Sequence, residues 1–105
     1  MSIANNGWLV VTNITGTGAA ADVLQVRGVR PGLPLKATLY ITGTFSGTIA
    51  VQVSTPGAAN YATISSNVVT TPTAVNLDIN TDCDVILNCT AFTSGTGAAT
   101  LVVGI

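Results

Sequence analysis

The chain has 105 residues, of which 48% are hydrophobic and only 7% are charged, with a net charge of −1 and no histidine. Soluble domains carry about 25% charged residues, and catalysis draws most often on histidine or on a carboxylate of shifted pKa. The composition therefore excludes the usual catalytic pairs and a basic surface for nucleic acid, and it predicts one non-enzymatic domain over residues 1–105 that needs no cofactor.

The distribution of apolar residues argues against membrane insertion. They occur in runs of four or five, whereas a spanning helix needs about 20 in succession. The first residues also lack the basic start and apolar stretch of a secretory signal. We expect a protein that is made in the cytoplasm and has no membrane partner, and we expect residues 1–6 to form a short N-terminal arm.

Apolar and polar residues alternate with a period of two along most of the chain, which indicates strands with one buried face. At residues 35–41, for example, Leu39 and Ile41 share a face that Tyr40 does not. No segment has a convincing helical period. Short strands with glycine and proline turns predict an all-β fold, a single antiparallel β-sandwich that is jelly-roll-like. About eight strands are expected, at residues 8–15, 21–28, 35–41, 45–54, 60–65, 74–79, 83–92 and 100–105.

Glycine-rich segments separate several of these strands and are predicted to be turns. Residues 42–47, TGTFSG, are expected to close an antiparallel hairpin between the third and fourth strands. The sequence GTGAA at residues 16–20 recurs at residues 95–99. Neither copy leads into the helix that a phosphate-binding loop requires, so both are expected to be hairpin loops.

Three of the four aspartates lie within residues 78–84. Asp78, Asn80 and Asp82 have the alternate spacing of the first oxygen ligands in calcium-binding loops. Cys83 stands where such a loop has glycine, and the chain has no glutamate for the closing bidentate ligand. We expect a polar turn and no bound metal here, and the alternative is a cation held by these three candidate ligands.

Cys83 and Cys89 lie six residues apart on one predicted strand. Their α-carbons would then be about 20 Å apart, whereas a disulfide needs about 4.4 to 6.8 Å. We therefore expect two buried thiols that act as small apolar groups. With two thiols and no histidine, a zinc site is not expected.

Aromatic and basic residues supply two further candidates. A sugar-binding platform would have to be built from Trp8, Tyr40 and Tyr61, which the sequence does not bring together, and burial is the alternative. Arg27 and Arg30 flank a loop, where they either contact an acidic partner or are simply solvated.

We expect much of the surface to be buried in an oligomer or a larger particle, because a near-neutral protein tends to associate and exposed apolar patches usually mark contacts. Residues 41–54, ITGTFSGTIAVQVS, followed by NYATI at residues 60–64, resemble small structural proteins of tailed bacteriophages. Among them are decoration, or cement, proteins, which are often jelly rolls or sandwiches that trimerise on the head. No functional residue can be carried over to this chain from the resemblance.

This resemblance implies a non-enzymatic virion protein on the capsid exterior that binds and stabilises the assembled head. Its partners would be the major capsid protein and further copies of itself, as a homotrimer. Two alternatives remain open. One is a minor tail, baseplate or fibre component, and the other is a carbohydrate-binding β-sandwich module.

Overall fold

The computed structural model describes residues 3–5, 7–19, 23–30 and 32–103. This part of the chain forms an all-β, antiparallel sandwich, as predicted. It contains no helix long and apolar enough to cross a membrane. The eight strands are β1 (Ile3–Asn5), β2 (Trp8–Ile14), β3 (Gly18–Ala19), β4 (Val23–Val26), β5 (Leu35–Ser54), β6 (Ala62–Val69), β7 (Thr73–Ile79) and β8 (Cys83–Val103).

Two of these strands are too long to be straight. β5 has 20 residues and β8 has 21, so each would span about 66 Å or more at about 3.3 Å per residue. The molecule measures only 40 Å in its longest direction. Both strands must therefore bend, and they bend together because they pair with each other along almost their whole length.

The bend divides one continuous hydrogen-bonded sheet into two layers. Sheet I has the order β7–β5–β8–β2 and uses the first half of β5 with the second half of β8. Sheet II has the order β6–β5–β8–β4–β1 and uses the other two halves, with β3 also on β8. Every pairing is antiparallel except the three-residue pairing of β1 with β4. The apolar core lies between the two layers.

The fold line, here called the spine, consists of residues 43–47 of β5 and 92–97 of β8, which pair across it. Gly43 and Gly95 have φ angles of 100° and 94°, a region that side chains other than hydrogen strongly disfavour. A Cβ on Gly43 would lie 2.5 Å from the Thr96 carbonyl oxygen. Glycine therefore lets the two backbones approach closely where they turn from one layer to the other.

Phe45 fills the inside of the spine. Its ring lies so close to Gly47 and Gly97 that a Cβ on either glycine would be 2.8 Å from a ring carbon. Phe92 packs beside it, with ring centroids 5.8 Å apart and planes tilted by 45°, an arrangement typical of aromatic pairs. The small residues at positions 47 and 97 thus leave the space that the Phe45 ring occupies.

The predicted alternation is confirmed at residues 35–41, where Leu39 and Ile41 are fully buried and Tyr40 is exposed. Residues 49–51 and 83–87 are buried without alternation, whereas alternation places Ala99, Leu101 and Val103 in the core. Its largest fully buried members are Leu24, Val26, Leu39, Ile41, Ile49, Val51, Val69, Val85, Leu101 and Val103.

The predicted turns within the long strands are wrong. Residues 35–41 and 45–54 belong to one bent strand, β5, and residues 83–92 and 100–103 belong to another, β8. The segment TGTFSG cannot be a hairpin because residues on both sides of it pair with β8 rather than with each other. Its glycines allow two strands to approach each other closely, and they do not reverse the direction of the chain.

Both copies of GTGAA lie at the spine, but neither closes a hairpin. Residues 95–99 are internal to β8. Residues 16–19 connect β2, which pairs with the second half of β8, to β3, which pairs with the first half. This copy therefore carries the chain from sheet I to sheet II. Ala20 lies outside the described residues.

The number of strands matches the prediction although their identities differ. Two pairs of predicted strands are merged, while the short strands β1 and β3 were not predicted. The short N-terminal arm stays a prediction. Of its residues, Ile3–Asn5 forms β1 at the edge of sheet II, and residues 1, 2 and 6 lie outside the described part of the chain.

Candidate functional site

The structure disperses the three candidate cation ligands. The Asp78 carboxylate pairs with the Lys36 ammonium at 2.9 Å on the surface. The Asp82 carboxylate accepts a hydrogen bond of 2.9 Å from the Val29 backbone N–H, and Asn80 is exposed. Within the described residues, no group of three or more histidine, cysteine or acidic side chains could hold a metal ion. These contacts fit the polar turn, and a bound cation stays the alternative.

The acidic residue that the fold singles out is Asp84, which sequence reasoning did not. It is buried, and its carboxylate accepts hydrogen bonds of 2.9 Å from the Arg27 guanidinium and from the Gly57 backbone N–H. Burial by itself disfavours the charged form, but these two hydrogen bonds and the positive charge of Arg27 outweigh it, so the pKa of Asp84 is lowered. The carboxylate is therefore ionised at neutral pH.

This ion pair has a structural role. The same guanidinium donates hydrogen bonds of 3.0 Å to the carbonyl oxygens of Val26 and Cys83, and so joins the end of β4 to the start of β8. Asp84 in turn holds the loop after β5 through Gly57. Arg27 is therefore engaged within the fold, which corrects the interpretation of Arg27 as a solvated or partner-binding charge.

Both cysteines are buried free thiols on the core face, as predicted from their spacing. Burial raises the pKa of each thiol, and the charge of nearby Asp84 raises that of Cys83 further. Because the thiolate is the reactive form, neither side chain is prepared for nucleophilic chemistry.

The outward face of sheet I brings two of the three candidate platform aromatics together. The strand register aligns Trp8 with Val102 and Thr38, and it aligns Val10 with Thr100 and Tyr40 in the next outward row. Asn76 and Ala74 complete these two rows on β7. Trp8, Val10 and Tyr40 are 66%, 47% and 48% exposed. We call these eight positions the sheet I face: Trp8, Val10, Thr38, Tyr40, Ala74, Asn76, Thr100 and Val102.

The sheet I face carries no charge at any of its eight positions. The nearest charges are on Lys36 and Asp78, which form the next row on β5 and β7 and neutralise each other. Trp8 and Tyr40 lie two strands and two residues apart, which is about 10 Å across the sheet and about 7 Å along it. The central parts of protein contact surfaces are likewise poor in charge and enriched in aromatic residues.

Tyr61 is not part of this surface. It is half-buried and immediately precedes β6 in sheet II. Burial, together with the charge of Asp84, raises the pKa of Tyr61. The three-aromatic platform is therefore not assembled, and a pair of aromatics takes its place.

The outward face of sheet II has a different character. Gln52 accepts a hydrogen bond from the Asn88 amide at 3.2 Å and donates one to the Thr63 hydroxyl at 3.1 Å, which links three neighbouring strands. Ala50 and Ile86 lie recessed between these polar side chains, with only 1% and 7% of their surfaces exposed. This face satisfies its own polar groups and presents no large apolar side chain at its centre.

No family model matches the chain, and no curated protein matches it. The solved structures that it resembles include the N-terminal cellulose-binding domain of β-1,4-glucanase C from Cellulomonas fimi, at 15% identity and a TM-score of 0.51, over 93% of this chain and 86% of that one. A CBM4 domain has 16% identity and a TM-score of 0.49, over 93% and 78%. PliG, a periplasmic lysozyme inhibitor from Aeromonas hydrophila, has 12% identity and a TM-score of 0.47, over 97% of both chains. At these identities, the likeness to the cellulose-binding domain shows a shared β-sandwich fold and nothing further.

Proposed function

We propose that this protein is a non-enzymatic structural protein of a bacteriophage particle, a decoration protein that attaches to the outside of the assembled capsid and stabilises it. The observation that carries the proposal is the sheet I face, which is uncharged and contains exposed aromatic side chains. Tyrosine and tryptophan dominate the binding energy of many protein interfaces. The sequence resemblance to phage structural proteins supplies the identity of the partner, the major capsid protein.

Attachment through this face would depend on buried area. Trp8 and Tyr40 provide two rigid apolar anchors, and Thr100 and Val102 lie on β8 between their two strands. A stable attachment requires about 800 Å² from each partner, which is more than two aromatic side chains supply. Neighbouring shell subunits that share one copy of the protein would be held together by it, which is how the capsid would be stabilised.

Binding to the shell tests this proposal directly. Particles from the source are stripped of the protein and titrated with purified wild-type protein, Trp8→Ala or Tyr40→Ala. We expect each substitution to weaken binding by at least about 1 kcal/mol, or roughly fivefold. Tyr61→Ala is the matched aromatic control, because Tyr61 lies outside the sheet I face. Equal binding by all four proteins would refute the assignment of this face.

The copy number in purified particles tests the location. A number near that of the major shell protein supports decoration of the head, whereas a few copies per particle would favour a tail, baseplate or fibre component. Absence of the protein from the particles would refute the virion proposal. The homotrimer implied by the resemblance stays a prediction, and a molar mass in solution tests it.

A second candidate function is carbohydrate binding, which the pairing of Trp8 and Tyr40 on one face favours. Aromatic rings on a flat sheet can contact the apolar faces of sugar rings, and their polar atoms remain available for hydrogen bonds. Because Trp8 is 66% exposed, its fluorescence would report on such a ligand. A titration with soluble polysaccharides, including cellulose-derived oligosaccharides, should change the emission of the wild-type protein and have no saturable effect on Tyr40→Ala. An unchanged wild-type spectrum would refute this candidate.

A further inference from the structure

The side of the sandwich that lies between β6 and β7 is open. β6 is the edge of sheet II and β7 is the edge of sheet I, and each pairs with β5 alone. Between them lies a cleft of about 370 Å³, here called the open-side cleft. Apolar side chains from both layers line it, namely Val53, Ile64, Leu77, Ile79 and Cys83. Ile64 is 47% exposed there, so the core is incompletely covered on this side.

β6 has a bulge, but it lacks charge and proline, two other features that usually prevent an edge strand from pairing with another molecule. Its eight residues, Ala62–Val69, include no charge and no proline, whereas protected edges commonly carry lysine, proline or inward charges. Val68 is 80% exposed, the largest exposure among the large hydrophobic side chains described. One bulge at Ile64, opposite residues 51 and 52 of β5, is the only irregularity in the strand.

β7 is better protected than β6 by charge. It carries Asp78, which pairs with Lys36 on the neighbouring strand, and Pro72 immediately precedes it. A second molecule that paired with β7 would have to approach this charged pair. Of the two edges on the open side, β6 is therefore the better template for a further strand.

We propose that two copies of this protein associate through their β6 strands, which pair antiparallel about a two-fold axis and extend sheet II from one copy into the next. The unpaired backbone N–H and C=O groups on the outer edge of β6 require another extended strand as their partner. An identical strand meets this need in both copies at once, because a two-fold contact is self-complementary. The strand carries no charge, so the symmetric approach brings no like charges together.

The same contact covers apolar surface next to the strand. Ile64 lines the open-side cleft, whereas Val68 projects from the outward face of β6, since its neighbour Val69 is buried. A second copy beside the strand contacts Ile64 on one face and Val68 on the other. Eight residues give a strip about 26 Å long, and the two layers are about 10 Å apart, so each partner contributes on the order of a few hundred Å². This is less than the about 800 Å² per partner of a standard interface.

The association is therefore weak. Interfaces of standard size begin at micromolar affinity, and we expect this smaller one to have a dissociation constant above about 1 µM. The contact produces a dimer, whereas the resemblance to decoration proteins implies a trimer, so molar mass distinguishes the two arrangements. The dimer contact lies on β6 and does not depend on the sheet I face or on attachment to a shell.

Sedimentation velocity of the purified protein over a wide concentration range tests the proposal. We expect the wild-type protein to move from monomer towards dimer as concentration rises. Val68→Lys puts a lysine on the β6 edge of each copy, a change that protects edge strands from pairing, and it should leave the protein monomeric at every concentration. Val10→Lys is the matched control, since it makes the same exchange at an exposed position of β2, and it should dimerise as the wild type does.

Hydrogen exchange identifies the contact independently of any substitution. Protection of the backbone amides of β6 should increase with protein concentration, while that of β7 should not change. A wild-type protein that remains monomeric throughout would overturn the proposal, as would a concentration-dependent trimer. Loss of association in Val10→Lys but not in Val68→Lys would also overturn it and would assign self-association to the sheet I face.

Discussion

Replacing Asp84 with alanine should destabilise the fold far more than the same change at Asp78, although each aspartate has a basic partner at 2.9 Å. The Asp84 side chain is 8% exposed and that of Arg27 is 38% exposed, whereas Asp78 and Lys36 are 48% and 78% exposed. Breaking a buried pair costs about 3–5 kcal/mol, while exposed pairs contribute about 0–1 kcal/mol.

The partial exposure of Arg27 lowers the expected cost. Asp84 accepts two charge-assisted hydrogen bonds, and each such bond contributes about 1.5–3 kcal/mol. Because water can still reach the guanidinium left behind in Asp84→Ala, we expect a loss of about 2–4 kcal/mol. At about 4–8 °C per kcal/mol for a domain near this size, the melting temperature should fall by roughly 8–32 °C. Asp78→Ala should cost less than about 0.5 kcal/mol.

The assay is urea and thermal unfolding followed by far-UV circular dichroism, since Trp8 is too exposed to report on the core. The pH dependence gives a second readout. The folded pKa of Asp84 lies below its unfolded value of about 3.9. The contribution of ionised Asp84 to the free energy of unfolding is therefore complete above the unfolded pKa, and it is lost as pH falls through the folded pKa. Asp84→Ala should remove this part of the acid sensitivity. Equal stability of Asp84→Ala and Asp78→Ala would refute the reasoning.

Three further predictions concern the spine and the thiols. Phe45→Ala should cost about 3–5 kcal/mol in urea unfolding, because it empties the inside of the spine, and a loss below 1 kcal/mol would contradict that packing. Gly97→Ala should cost about 1–3 kcal/mol through its collision with the Phe45 ring, and the cost should shrink in a Phe45→Leu background if the ring is the cause. Cys83 and Cys89 should react with a thiol reagent only as fast as the protein opens, since both are buried, and rapid reaction of the native protein would contradict their placement.

Much of the fold follows from local patterns. Alternation identified the buried faces of the strands, because a residue's face in a strand depends only on whether its position is odd or even. Leu39 and Ile41 are buried and Tyr40 is exposed for that reason. The same arithmetic showed that Cys83 and Cys89 share the core face without bonding to each other. These are properties of a single strand, and they hold whatever the strand pairs with.

The role of the glycine-rich segments could not be predicted in this way. TGTFSG has the composition of a turn, and only the shared pairing of its two flanks with β8 shows that the strand continues through it. Glycine permits both chain reversal and close approach of two backbones. Which of the two occurs depends on a partner strand about 50 residues away in sequence.

The candidate sites could not be predicted from local sequence for the same reason. Asp78, Asn80 and Asp82 attracted attention because they are close in sequence, while Asp84 became important because Arg27 and Gly57 reach it from distant parts of the chain. Trp8 and Tyr40 are 32 positions apart in the sequence and share a face only because β8 pairs with both β2 and β5.

The sequence by itself determined that this protein is all-β, which side of each strand is buried, and that histidine-based chemistry is absent. Tertiary structure alone decided that β5 and β8 bend together, that Asp84 is the buried acid, and that one uncharged face carries two aromatics. The physical reason is the range of the interactions involved. Alternation and composition act between neighbours along the chain, whereas bending, ion pairing and surface composition arise from contacts between strands that are distant in sequence.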